Sequence, residues 1–471
     1  MSATTTLASG RDQHENPMSG PSEAIRLYDR AVDRLLRYDP EVVEVATTMA
    51  EQHADLPMTN ALLAYLHLTS TDEPDVATAA AAAEAMASSP MNEREQAHHA
   101  AVAAWVQGDW PGASQALDGL LQSWPGDLLA LLVGHQLDFF LGDAANLRDR
   151  PGRSLTALDP TDPHTAFVRG MQAFGLEESG SYAEAEEAGL AALAVNPDDV
   201  WSVHAVTHTN EMRGRVAEGI SFLRDREADW GSGNLFTVHN WWHLAIFQLE
   251  VGDLDAVLRI YDDQVHNAAS AGVPLEMLDA AALLWRLHLD GHDDGGRFAP
   301  LAEAWATRID QRPWYVFNDL HAVMALVGAG RIADAESVVE RLAGYVHLGG
   351  SGTNVAMTAE IGLPSCRAAV RFEQGRYDDA IEELLPIRRV LQHFGGSHAQ
   401  RDALQRTLLE SALRAGRTDL ARSLIAERLA VRETSVYGWT QQARLLGALG
   451  RDADASSASA AASALRARAK A

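Results

Sequence analysis

Two short stretches concentrate side chains able to do chemistry. In WSVHAVTHTNEM (201–212), His204, His208 and Glu211 stand at i, i+4 and i+7, one stripe of a helix, with Trp201 a turn earlier. In TVHNWWHLAIF (237–247) the pair recurs as His239 and His243, each 35 residues beyond its counterpart, with Trp242 between them. Imidazoles four residues apart beside a carboxylate have the spacing of metal ligands and suit a divalent ion such as Zn, Fe or Mn. The glutamate that follows the first histidine in HExxH zinc sites is missing, so this is not that protease motif. Metal-free acid–base work would use the same rings, with Glu211 or Asp319 setting tautomer and pKa. Recognition of an anionic or aromatic small molecule by His, Trp and Arg is the third chemistry these residue types allow.

Further groups stand on neighbouring stretches. NDLHAVM supplies Asn318, Asp319 and His321; PLEMLDAAALLWRLHL supplies Glu276, Asp279, Trp285 and Arg286; SHAQRDAL supplies His398, Arg401 and Asp402; and His135 precedes the charged run NLRDRPGR (146–153). That run reads equally well as an exposed loop, because Pro and Gly end helices. A lone histidine or tryptophan is ordinarily a satisfied core residue, and Trp241 is expected to face the helix–helix core. Two histidine pairs in register are different, since burying four imidazoles is costly unless each finds a partner. The expectation is an interior pocket. Catalysis would fall to His204, His208, Glu211, Asp319 and His321, and metal binding to His204, His208, His239 and His243. Substrate would be held by His135, Trp201, Trp242, Asp279, Trp285, Arg286, Asn318, His398, Arg401 and Asp402, with Arg286 and Arg401 taking an anionic group.

The elements that must position these groups are legible as a repeat. Glycines at 108, 142, 180, 214, 252, 291, 330, 375, 416 and 450 each sit in a short turn between apolar helical stretches, spaced 34 to 45 residues apart. Such a period is the signature of a helical-hairpin array. Five residues after many of them comes a small residue (Ala113, Ala185, Gly219, Ala335, Ala380, Ala421, Ala455), and Pro125 and Pro197 follow at two hairpin boundaries. This pattern resembles the tetratricopeptide repeat. The expected fold is therefore all-α, a right-handed tetratricopeptide-like superhelix of about ten hairpins over 23–456. A flexible segment over 1–22 would precede it, and an Ala-rich helix or tail over 457–471 would follow. His204, His208 and Glu211 lie 10, 6 and 3 residues before Gly214; in that repeat these positions line the concave surface.

Taken together, DVWSVHAVTHTNEMRGR, FTVHNWWHLAIFQLEVGDLDAVLRIYDD, NDLHAVMALVGAGR and GGSHAQRDAL resemble the tetratricopeptide repeat protein 38 family, over about residues 100 to 450. The resemblance implies a fold rather than a reaction. Ordinary tetratricopeptide scaffolds bind peptides through Lys, Asn and Arg, and the His, Trp and acids here favour a dedicated small-molecule or metal pocket. The primary expectation is an enzyme or enzyme-like binder of a small polar metabolite, with metal-assisted hydrolysis as the least demanding chemistry. The alternative is a non-catalytic adaptor that binds peptide segments of partner proteins.

Bulk properties narrow the partners. The 471 residues are 47% hydrophobic, with 65 acidic against 38 basic side chains and a formal net charge of -27. Nothing basic is available to displace counterions from a phosphate backbone, so nucleic acid is not expected as a partner. Cys366 is the single cysteine; it excludes a disulfide framework and reads as a small core residue. With neither a signal-type leader nor an apolar run of membrane length, the expected location is the cytoplasm, away from membranes. A terminal helix with an apolar face would offer a route to a homo-oligomer.

Overall fold

The computed structural model describes residues 9–469. The described chain is all-α, an array of helical hairpins, apart from a two-stranded antiparallel ribbon of Ser9–Arg11 and Pro17–Ser19. Twelve helical hairpins run from Ser22–Leu36 to Asp452–Ala469. All ten turn glycines adopt the left-handed conformation, with φ between 65° and 82°. At each, the next residue's N–H reaches back to a carbonyl five residues earlier, as in Asp143 N to Asp138 O at 2.9 Å and Arg215 N to Asn210 O at 2.8 Å. This closes the first helix of the hairpin and points the chain into the second. Where Asp follows the glycine, as at Asp109, Asp143 and Asp253, its carboxylate caps the new helix. At Arg331, Arg376 and Arg451 a pair one turn on replaces the cap, as in Arg331–Asp334 at 2.6 Å.

Two hairpins precede the first turn glycine. Their left-handed positions are Tyr38 (φ 55°) and Thr71 (φ 60°), so a search for glycine passes over them. The small residues five after the turn serve close helix approach: Ala113, Ala185, Ala335, Ala380 and Ala421 are fully buried. A Cβ on Gly219 would lie 2.4 Å from the Phe247 ring. Ala455, in the final helix, is only half-buried.

The described chain forms two compact units. The first comprises the chain up to Ala205 with Ser232–Phe236 and Gly350–Ala356; the second comprises Val206–Gly231, Thr237–Gly349 and the chain from Met357. In the first unit, Thr353 N donates to Gly108 O at 2.8 Å and ties the 350–356 segment to a hairpin turn. The division falls inside the helix Val200–Met212. Among the described residues, no helix is long and apolar enough to cross a membrane.

Three expectations need correction. Residues 9–19 are not a flexible head: the ribbon is held by buried polar bonds, Ser19 N to Glu95 at 2.7 Å and Arg94 to Asp12 at 3.1 Å. Residues 1–8 lie outside the described residues. The run 146–153 is not a loop but most of the helix Ala144–Leu155, with Pro151 inside it. Buried Arg150 anchors that helix through Asp138 at 2.7 Å and Asp118 at 2.9 Å. The Ala-rich end belongs to the helix Asp452–Ala469, which begins before residue 457 and buries Ala458 and Ala462.

The packing yields a paired prediction. A Cβ on Gly175 would meet the backbone of Leu147 and Arg148 at 2.3 Å, whereas one on exposed Gly119 would meet nothing within 4 Å. Gly175→Ala is expected to destabilise by about 1–3 kcal/mol through overpacking against unyielding backbone. Gly119→Ala is expected to stabilise by about 0.5–1 kcal/mol through helix propensity alone. Urea unfolding of both variants checks the opposite signs.

Candidate functional site

The helix Val200–Met212 is started by Asp199, whose buried carboxylate accepts from Trp201 N at 3.1 Å, Ser202 N at 3.3 Å and the Ser202 hydroxyl. Burial pushes its pKa up to about 7 against these bonds, which lower it. In the first unit the helix presents Trp201, stacked on Tyr38 with centroids 5.7 Å apart, and His204. His204 sits among aromatic rings, 4.9 Å from Trp201 and 5.0 Å from both Phe174 and Phe236. His135 packs edge-on against Trp201 at 5.5 Å, and burial lowers its pKa to about 3.

The second unit gathers three of the predicted imidazoles. His208 comes from that same helix, one turn after His204, and His239 and His243 come from the helix Thr237–Val251. One ring nitrogen of each lies within 4.8 Å of the others. The rings meet edge to face, His208–His243 at 4.5 Å and His239–His243 at 4.8 Å. Each ring of the second helix is backed by a carboxylate. His239 Nδ1 is 2.7 Å from Asp279, and His243 Nδ1 is 3.2 Å from Glu211. Trp242 stacks on His239 at 5.2 Å and is fully buried. Burial, then His208, His239 and Arg286, lower the His243 pKa well below the ordinary imidazole value. Trp241 packs on Trp230 at 4.9 Å in the helix–helix core.

The remaining predicted residues have separate engagements. Asp279, expected to hold substrate, instead backs His239. Asp319 is bound to Arg341 at 2.6 Å, and His321 Nδ1 to the Phe317 carbonyl one turn earlier at 2.7 Å. Burial brings His321 down to about 4. Arg286 donates to the carbonyls of Ala282 at 2.8 Å and Ala399 at 2.5 Å, beneath the Trp242 ring. Trp285 Nε1 donates to Thr407 at 2.9 Å. Asn318 is buried in the first turn of Val316–Gly328, and half-buried His398 begins His398–Arg414 after a capping box at Ser397. Arg401 donates to the Gly396 carbonyl. Asp402 is gripped by Arg406 at 2.9 Å and Arg428 at 2.6 Å; burial raises its pKa, but these arginines hold it well below the carboxylate range. Cys366 is buried, and burial pushes its thiol well above the usual value.

A second feature of this unit escaped the sequence reading. A cleft of about 670 Å³ opens among Glu250, Asp290, Arg406, Glu410, Tyr437 and the arginines of the last two helices. Arg406 lies 4.0 Å over the Tyr437 ring and within 3.5 Å of Glu250 and 3.8 Å of Asp290. Glu410 takes Arg414 at 2.5 Å and Arg444 at 2.6 Å. Arg466 contacts only a hydroxyl, Thr440 Oγ1 at 3.2 Å, and is the cleft arginine without a carboxylate partner among the described residues. The stripe Arg406, Glu410, Arg414 at i, i+4, i+8 was the available signal.

No family model matches the chain. Similar solved structures include a human IFIT1 dimer with m7Gppp-AAAA, at 13% identity, covering 97% of this chain and 96% of that chain, with a TM-score of 0.41. Yeast Tom70 has 13% identity, covering 95% and 96% of the two chains, at a TM-score of 0.34. The APC/C hetero-tetramer Cut9–Hcn1 has 12% identity, covering 95% and 96%, at 0.26.

The Asp199 cap makes a pH prediction. Its folded pKa, about 7, lies above the unfolded value of about 3.9, so its contribution is fully present below pH ~4 and lost as pH rises through 7. Asp199→Asn keeps a capping oxygen and cannot ionise. Relative to the parent, its melting temperature is expected to rise steadily between pH 4 and 8, measured by thermal circular dichroism. A constant difference across that range would contradict the assignment.

Proposed function

We propose that the chain is a non-catalytic tetratricopeptide-like adaptor, and that the cleft of its second unit takes a carboxylate-bearing peptide segment of a partner protein. The supporting observation is Arg466: a fixed cation at the cleft, beside Arg444, in a wall whose other arginines are balanced by Glu250, Asp290 and Glu410. A volume of about 670 Å³ suits a few residues of extended peptide. Guanidinium groups hold carboxylates by charge-assisted hydrogen bonds. The catalytic reading would require Asp319 and His321 to serve the histidine group, and each is engaged by its own partner.

The test is selection of a random peptide display library on the full chain, followed by fluorescence polarisation with the enriched peptides. Peptides carrying a carboxylate are expected to be enriched. Arg466→Ala is expected to weaken them about 10-fold or more, since a hydrogen bond to a charged group contributes roughly 1.5–3 kcal/mol. Binders indifferent to both Arg466→Ala and Arg444→Ala would overturn the reading, as would a selection that enriches nothing.

A further inference from the structure

The geometry points to a divalent metal site at His208, His239 and His243, independent of the cleft and of the adaptor reading. Three imidazoles from two adjacent helices bring ligand nitrogens within 4.8 Å of one another. A tetrahedral ion with Zn–N bonds of roughly 2.0–2.1 Å would need nitrogens about 3.4 Å apart. Holding such an ion therefore requires the rings to draw together by up to about 1.4 Å. His204, one turn before His208 on its helix, continues the same stripe.

The carboxylates behind the rings are the second, independent observation. Asp279 and Glu211 occupy Nδ1 of His239 and His243. A carboxylate at Nδ1 favours the proton there, the tautomer in which Nε2 is the donor atom toward a metal. It also raises the basicity of Nε2. The carboxylates also place negative charge beside the rings, Asp279 behind His239 and Glu211, itself 3.8 Å from Arg432, behind His243. An anionic ligand at this place would face both of them. Imidazole nitrogen donors select Zn or a neighbouring first-row ion over Ca or Mg. Trp242, stacked on His239, restricts its rotation, and His208 and His243 are fully buried.

Tag-free full-length protein, purified without chelator, is measured for metal by mass spectrometry. It is then stripped and reloaded with Zn(II) or Co(II). Near one equivalent of metal per chain is expected, with the intense visible absorption of four-coordinate Co(II). His208→Ala with His243→Ala is expected to abolish both. Asp279→Asn, which keeps the ring contact, is expected to weaken Zn(II) about 10- to 100-fold with an unchanged far-UV spectrum. This variant, whose change lies behind the His239 ring, keeps the test decisive if the double variant does not fold. Sub-stoichiometric metal with no Co(II) band, an adventitious ion only, would overturn the proposal. Full metal retention in a folded double variant would overturn it equally, by placing the ion elsewhere.

Discussion

Ten of the twelve described hairpins depend on a backbone conformation that glycine adopts without strain. Ten times the chain reaches the end of a helix, turns through a left-handed residue and closes the helix with one reach-back hydrogen bond. The turn sets where the next helix starts and how it faces its neighbour. Small residues five positions on then let the two helices of a hairpin touch. The turns, 34 to 45 residues apart, set successive first helices beside one another. His208 and His243 meet with centroids 4.5 Å apart although they stand 6 and 9 residues before their own turn glycines, Gly214 and Gly252.

The buried electrostatics follow a second rule. A chain with a net charge of -27 matches several of the charges it buries at short range. In the first unit, Arg94 lies between Asp127 and Asp12, and Arg150 between Asp138 and Asp118. In the second, Asp402 is shared by Arg406 and Arg428. Such pairs are costly to break and tie helices together across hairpins. Against that background two places stand out in the second unit, the carboxylate-backed imidazoles and Arg466, the cleft arginine without a carboxylate partner among the described residues. An imidazole backed by an acid suits a cation. A guanidinium so placed suits an anion.

The histidine pairs, the turn glycines and the small residues after them were all readable from spacing, because each obeys a local rule. Glycine at a helix end reports its own φ, and an i, i+4 pair reports its own helix face. The first two hairpins were hidden because Tyr38 and Thr71 take the left-handed position against their propensity, supported by packing rather than by residue type. Pro151 misled for the same reason: the buried Arg150 pairs hold a helix where local rules end one.

The sequence by itself determined an all-α hairpin array, its period, and two histidine pairs facing one way on successive helices, since these follow from the reach of single turns and single helix faces. Only the tertiary structure decided which acid stands behind which ring. Asp279 reaches His239 from 40 residues away and Glu211 reaches His243 from 32, while Asp319, an equal candidate on paper, is taken by Arg341. It alone also brought Glu250, Arg406, Arg444 and Arg466 to one cleft. Pairing between helices depends on how their faces dock, and docking sums over many packed side chains that no single spacing records.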